Sequence, residues 1–262
     1  MDLRILPVKK KPDNIVKGKK PVPEPLPKPP FLMVVNAPVR SGKTNLLIGL
    51  LYLPSFNFRE YFDEIIYISP TIANDDTGKA AMDDEKVIKI TDNLEDIDLI
   101  LESIVELQKK KDKKDRKETL IILDDMLGLI KNQGQSFFAA LCSKYRHFRL
   151  SLIISSQSFR ALPPLCRYNA TAYIIFKTHN KKELTKMLEE FEGNFPNFLK
   201  LYEDATSERY SFLYLNQEKV KAYRNFIDLI YEKWTHPCRS NDFGENGRIA
   251  DWSLSSKIRK SS

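Results

Sequence analysis

The 262-residue sequence predicts an α/β fold: a mostly parallel β-sheet with helices on both faces and antiparallel strands added near the C-terminus. Three observations lead there. Short, continuous apolar runs recur at residues 32–35, 65–68 and 120–123, with a fourth over 150–154 broken only by Ser151, and strands buried on both faces read this way rather than alternating. Segments with helical spacing lie between them, the pattern of a parallel sheet with crossover helices. The first run also stops at a small-residue loop ending in Gly42-Lys43-Thr44, followed at once by a helical segment. That is the order of a strand, a phosphate-binding loop and a helix.

Residues 1–30 precede this core. They hold eight cations (Arg4, Lys9, Lys10, Lys11, Lys17, Lys19, Lys20, Lys28) against three acids (Asp2, Asp13, Glu24), and eight of the fifteen prolines. Such a composition forms neither helix nor central strand, so an extended, disordered basic arm is expected. It either contacts a phosphate backbone or an acidic partner, or is a solvated tail. One folded domain is expected over residues 31–236, with a second polar, basic tail over 237–262.

Residues 32–35 read as the first strand and 43–53 as the first helix. Between them, Ala37, Pro38, Val39, Arg40, Ser41, Gly42, Lys43, Thr44 and Asn45 would surround phosphates. Backbone N–H groups and the helix N-terminus point at the anion, Lys43 reaches the outer phosphates, and the Thr44 hydroxyl takes a magnesium ligand position. The consensus opens with glycine where this chain has Ala37, so the loop must turn there with negative φ or carry strain.

A buried strand over 63–70 and a short one over 87–90 follow. Leu94, Ile97, Leu101, Ile104, Val105 and Leu107 then have mostly helical spacing, predicting a helix over 94–110. The charged run 109–118 reads as a DNA-facing loop or, more commonly for mixed charge, a solvated helix end. The strand at 120–123 delivers Asp124-Asp125 at its C-terminal end. A helix near 135–145 leads to a strand over 150–155 that ends in Ser156-Gln157. A strand at 173–176 and a helix at 181–191 come next, then two antiparallel segments at 198–201 and 210–215. A last helix is expected over 217–234, with Val220, Tyr223, Ile227, Ile230 and Tyr231 on one face.

Ligands of such folds sit beyond the carboxyl ends of the parallel strands, where Lys43, Asp124 and Gln157 all fall. Phosphoanhydride hydrolysis of ATP rests on positioning and charge. Lys43 would pair with the β- and γ-phosphates, and Thr44 and Asp124 would hold Mg2+, Asp124 through water. Asp125 would orient or deprotonate the attacking water, and Gln157 would bond the γ-phosphate or that water. A GTPase reading competes: Asp125-Met126-Leu127-Gly128 fits DxxG, and Asn180-Lys181-Lys182-Glu183 approaches NKxD. Against it, Glu183 stands where the guanine-reading Asp belongs, and Thr178 and His179 separate the motif from its strand. A non-catalytic nucleic-acid-binding scaffold on the same fold is the other alternative. Cys142, Cys166 and Cys238 form no CxxC pair and the three histidines are isolated, so neither a disulfide framework nor a zinc site is expected, and a reducing compartment follows. No apolar run approaches the ~18 residues of a membrane span, and Met1-Asp2-Leu3-Arg4 does not begin a secretory signal.

With these motifs in place, the chain resembles the poxvirus-type DNA-packaging ATPases of nucleocytoplasmic large DNA viruses and virophages, in the FtsK–HerA superfamily. The resemblance covers about residues 31–215. It rests on residues 36–45, on the paired acids within 120–126, on Tyr145-Arg146-His147-Phe148-Arg149 ahead of the strand ending in Gln157, and on Leu162-Pro163-Pro164-Leu165-Cys166-Arg167-Tyr168-Asn169-Ala170. The arginine–histidine pair before that strand is its most specific part. The resemblance implies a RecA/FtsK-like P-loop NTPase fold and an ATP hydrolase that drives double-stranded DNA into a capsid. It further implies a homo-oligomeric ring with ATP between subunits, a capsid or portal-like partner, and residence in the host cytoplasm or viral factory and in the virion. Arg146, or failing that Arg167, looks like the arginine that completes a neighbour's site. Two positions depart from the family pattern: Ala37 replaces glycine, and Asp125 replaces the Glu common among cellular relatives, shortening the reach to water. A helicase would look much the same.

Overall fold

The computed structural model describes residues 22–233, apart from 57, 73–75, 79–80, 82, 113–114, 127 and 129–135. Most of the expected basic arm (1–21) and the whole C-terminal tail (237–262) lie outside the described residues. In chain order the elements are β1 (Leu32–Asn36), α1 (Lys43–Tyr52), α2 (Phe58–Tyr61), β2 (Glu64–Ile68), β3 (Val87–Ile90), α3 (Ile97–Lys109) and β4 (Thr119–Asp124). There follow α4 (Phe137–Lys144), β5 (Leu150–Ser156), α5 (Pro164–Asn169), β6 (Ala172–Phe176), α6 (Lys181–Phe191), α7 (Phe198–Ala205), β7 (Phe212–Asn216), β8 (Lys221–Arg224) and β9 (Asp228–Glu232).

The strands form one nine-stranded sheet in the order β3-β2-β4-β5-β1-β6-β7-β8-β9. Every pair from β3 to β6 is parallel, and the pairs β6–β7, β7–β8 and β8–β9 are antiparallel. This is the predicted fold class. Both faces are covered, which is why the strands read as unbroken apolar runs. Side chains of Leu32, Val34, Ile121, Leu123, Leu152 and Ile154 point to one face, under α3, α4, α6 and α7. Their neighbours Met33, Val35, Leu120, Ile122 and Ile153 point to the other, under α1 and α2. The period-2 geometry of a strand divides one run between two cores. Helix α1 is buried from Leu46 to Tyr52, as expected for a helix that is apolar around most of its circumference.

Three expectations are corrected. Residues 198–201 are the first turn of α7, not a strand: Phe198, Leu201, Tyr202 and Ala205 are its buried positions, at helical spacing. Residues 217–233 are a hairpin, not a helix. Left-handed backbone at Val220 (φ 47°), Asn225 (51°) and Phe226 (67°) interrupts any helix, and β8 covers the edge that β7 would otherwise leave open. Phe226 plugs this addition, within 5.5 Å of the ring centroids of Phe56, Phe212 and Tyr214. Such aromatic pairs contribute about 0.5–1.5 kcal/mol each beyond area burial. Finally, residues 22–30, expected as part of a free arm, are packed. Val22 and Leu26 are buried, and the Pro25 carbonyl accepts hydrogen bonds from Tyr214 Oη (2.9 Å) and Asn216 Nδ2 (3.1 Å). Proline denies this segment a helix or a ladder but not a place in the core.

Glu183 in the first turn of α6 decides one competing reading. Its buried carboxylate accepts bonds from Ser158 Oγ (2.8 Å) and from the Phe159 and Arg160 amides (2.7 and 3.1 Å), tying α6 to the turn after β5. It is therefore a structural tether, not a group free to read a guanine base. Glu183→Ala, which strands the buried Phe159 amide, is expected to cost about 3 kcal/mol. Urea unfolding checks this: the midpoint should fall markedly, and an unchanged midpoint would contradict the tether.

Candidate functional site

At the carboxyl ends of the parallel strands lies a cavity of about 810 Å³, walled by residues 38–46 together with Thr77, Asp125, Gln157, Phe176, Arg209, Tyr210 and Phe212. The loop after β1 forms its floor. Ala37 stays buried and its N–H donates to the Ser156 carbonyl at 2.9 Å, prolonging the β1–β5 ladder. It is absent from the left-handed positions, which fall instead at Arg40 (φ 63°) and Gly42 (φ 93°). The missing consensus glycine thus costs no backbone strain at Ala37, because the reversal is made three residues later. Gly42 caps α1 with no side chain of its own. The N–H groups of Lys43 and Thr44 lie in the helix's first turn, where no intrahelical acceptor exists, and they open onto a phosphate-sized space.

Lys43 reaches across this space. Its Nζ lies 3.2 Å from Asp124 Oδ1 and also pairs with Asp125 Oδ2. Asp124, the last residue of β4, is buried and held by two hydroxyls: Ser155 Oγ donates to Oδ1 at 2.7 Å and Tyr67 Oη to Oδ2 at 3.2 Å. Asp125 follows in a left-handed conformation (φ 56°) that turns its side chain away from the strand's alternation and into the cavity. Asp tolerates that conformation better than most residues. Gln157, one residue past β5, is exposed on the cavity wall. Strand β5 lies between β1 and β4, so Gln157 stands between the loop and the two acids. Residues 38–45, Asp124, Asp125 and Gln157, predicted from separate stretches of sequence, are thus brought together.

The site is also suited to a divalent cation. One ammonium faces two carboxylates, so the cluster keeps a surplus negative charge, and that surplus doubles if Lys43 turns to an anion. Asp124 and the Thr44 hydroxyl supply the hard oxygen donors that Mg2+ prefers, in the small number it takes when substrate phosphates complete its shell. Among the described residues no group of three or more His, Cys, Asp or Glu forms an all-protein metal cage.

The two arginines separate. Arg146 sits on the turn before β5, at the opposite end of that strand from Gln157, and is exposed. Its Nε donates to Tyr145 Oη at 3.0 Å and its Nη2 is 3.4 Å from Glu218 Oε1. Burial pushes the Tyr145 phenol above its ordinary pKa, against the opposing pull of the Arg146 charge. Arg146 lines a second cavity of about 330 Å³ with Ser143, Tyr168, Asn169, Gln217 and Glu218. It cannot serve its own chain's phosphate-loop cavity, and its exposed guanidinium faces outward, paired with Glu218. Arg167 corrects an expectation: it is buried, donates to the Leu162 carbonyl at 2.5 Å, pairs with Glu190 at 3.4 Å and lies over the Phe159 ring. A guanidinium enclosed this way anchors α5 to α6 and is not available to a neighbour.

Phe176, Arg209, Tyr210, Phe212 and Thr77 were not legible as cavity residues. The aromatic group arrives because β7 runs antiparallel: its first residue, Phe212, pairs with the last residue of β6, Phe176. The start of an antiparallel neighbour lies at the same end as the finish of a parallel strand. An arginine–tyrosine pair just ahead of that strand was the only available signal.

A family model described as Poxvirus A32 protein matches residues 22–218, well over half of the chain. No curated protein matches the sequence. Among solved structures, the genome packaging NTPase B204 of Sulfolobus turreted icosahedral virus 2, in complex with ATP-gammaS, is 18% identical with a TM-score of 0.57, covering 75% of this chain and 97% of that one. The DNA-packaging ATPase B204 of Sulfolobus turreted icosahedral virus is 16% identical with a TM-score of 0.56, over 75% of this chain and 97% of the other. At such identity these likenesses establish the fold.

Gly42→Ala is expected to destabilise the chain by about 1–2 kcal/mol, since φ 93° is foreign to alanine, and to weaken uptake of inorganic pyrophosphate by displacing the loop amides. Calorimetric titration reads both wild type and variant. Unaltered pyrophosphate affinity in a folded Gly42→Ala chain would contradict the loop's role as an anion cradle.

Proposed function

The chain belongs to the Poxvirus A32 protein family, and from that membership we propose that it is an ATP-hydrolysing motor that packages a viral genome, translocating double-stranded DNA as a homo-oligomeric ring. The observation that carries this reading is the Lys43 ammonium held between Asp124 and Asp125 on the floor of a cavity walled by the loop. The solved relatives named as packaging NTPases, with an ATP analogue bound in one of them, support it.

In this reading the amides of the loop cradle the phosphates of ATP and Lys43 leaves the acids for the β- and γ-phosphates. Thr44 and Asp124 hold Mg2+, with Asp124 fixed by Ser155 and Tyr67. Bound magnesium supplies neutralisation of the phosphate charge that builds during transfer. Asp125, released from Lys43, orients or deprotonates the attacking water. Gln157 bonds the γ-phosphate or that water. Arg146 enters the site of an adjacent copy in the ring, where a trans arginine adds about 10³ to 10⁵ in rate. Its exposed pair with Glu218 contributes little and yields easily. The net charge of +7 suits a polyanionic track, and the basic residues 1–21 are the proposed contact to DNA or to a capsid or portal-like component. The domain takes in residues 22–233 and acts in the host cytoplasm or viral factory and in the virion. No described helix is long and apolar enough to cross a membrane.

Turnover tests this. ATP hydrolysis should be slow in dilute protein and rise with both duplex DNA and protein concentration, while GTP should not displace ATP preferentially. Lys43→Ala and Arg146→Ala should each be inactive alone, yet regain partial turnover when mixed, because an intact Lys43 then faces an intact Arg146 across a subunit boundary. No recovery on mixing would remove Arg146 from the trans role. Full packaging function with Lys43→Ala would favour a non-catalytic scaffold.

A further inference from the structure

The cavity has two unlike ends, and strand order sets them apart. Counting from β1, the acids at the end of β4 lie two strands to one side, beyond Gln157 at the end of β5. Phe212 and the turn before β7 lie two strands to the other side, beyond Phe176 on β6. At the spacing of neighbouring strands each end stands roughly 10 Å from the loop. If the terminal phosphate sits with Lys43, Asp125 and Gln157, the rest of a nucleotide must run toward Phe176, Arg209, Tyr210 and Phe212.

That end is shaped as a platform. Tyr210 is 55% exposed although it lines a cavity, and its backbone is left-handed (φ 66°), a conformation that is an outlier for a bulky residue. The turn enforces it. Ser211 N–H and Ser211 Oγ both donate to the Glu208 carbonyl (3.2 and 2.7 Å), the Glu208 amide donates back to Ser211 Oγ (3.2 Å), and Arg224 pairs with the Glu208 carboxylate at 2.5 Å. The ring stands against the phosphate loop, 3.4 Å from where a Cβ on Gly42 would lie. The Arg209 guanidinium is 4.7 Å from its centroid, and among the described residues Arg209 pairs with no carboxylate. Phe176 and Phe212 back the site with ring centroids 5.3 Å apart. Strain held by a braced turn, at an exposed aromatic with a free cation beside it, is the kind of outlier that points to a ligand.

We propose that Tyr210, with Arg209 over its face, is the nucleobase platform of this cavity, holding a purine by stacking and cation–π contact rather than by reading its hydrogen-bonding edge. This rests on the nucleotide-binding reading above and extends it to base specificity. Stacking is tolerant of base identity because every base presents a π-face, and the guanidinium adds attraction without an edge code. ATP and GTP should therefore bind within about fivefold of each other, and inorganic tripolyphosphate should not sense Tyr210 at all.

The test is calorimetric titration of the full-length chain with ATP, GTP and inorganic tripolyphosphate, each with magnesium. Tyr210→Ala should weaken ATP and GTP about tenfold or more and leave tripolyphosphate unchanged, which also shows that the variant is folded. Tyr210→Trp should restore nucleotide affinity. Undiminished ATP binding by Tyr210→Ala overturns the platform, as does an equal loss for ATP and tripolyphosphate, which would mean the ring merely shapes the loop. A strong preference of the wild type for one purine overturns recognition by stacking. Failure of the wild type to bind ATP at all overturns the nucleotide reading itself.

Discussion

Lys43 is one cation between two acids, and the behaviour of the site follows from that imbalance. Asp124 is held in a buried position by Ser155, Tyr67 and Lys43 together. Removing the only cation from such a cluster leaves charge uncompensated, a defect that costs several kcal/mol at buried sites. An incoming polyphosphate competes for the same ammonium. It can take Lys43 only if something positive replaces it beside the acids, so anion and divalent cation are coupled through a single side chain. An empty cavity is meanwhile spared a lone buried lysine or a bare acid pair.

The sheet exists to hold that cluster at a fixed spacing. Placing β5 between β1 and β4 separates the loop from the acids by two strand widths, enough for a lysine side chain to bridge and for a phosphoryl group to fit. The antiparallel extension does a second job. By reversing direction, β7 returns its starting residues to the rim where the parallel strands finish, and β8, β9 and residues 22–30 pack behind it. The aromatic end of the cavity is thus braced by the part of the chain least like a parallel α/β fold.

What the sequence made legible was local. Gly42-Lys43-Thr44, the acids after an apolar run, and Gln157 after another each follow from the order of residues along a few turns of chain, and the parallel core follows from apolar runs too long to alternate. What it hid depends on partners distant in the chain. Phe-Leu-Lys-Leu at 198–201 alternates like a strand, and only Tyr202 and Ala205 reveal the helical face. Val220, Tyr223, Ile227 and Ile230 fit a helix as well as a hairpin, and the open edge of β7 chooses between them. Composition rightly denied residues 22–30 regular structure but could not show the two donors, Tyr214 and Asn216, waiting for the Pro25 carbonyl. Arg167 and Arg146 looked alike as cations; Glu190 and burial distinguish them.

The central claim is that Lys43 and the paired acids receive a triphosphate and its metal as one unit. Titrating ATP into the purified chain by calorimetry, with and without magnesium, tests it most directly. One nucleotide bound per chain, with affinity that drops sharply when magnesium is withheld, is the predicted result. No uptake of ATP in the presence of magnesium, or uptake indifferent to it, would contradict the account.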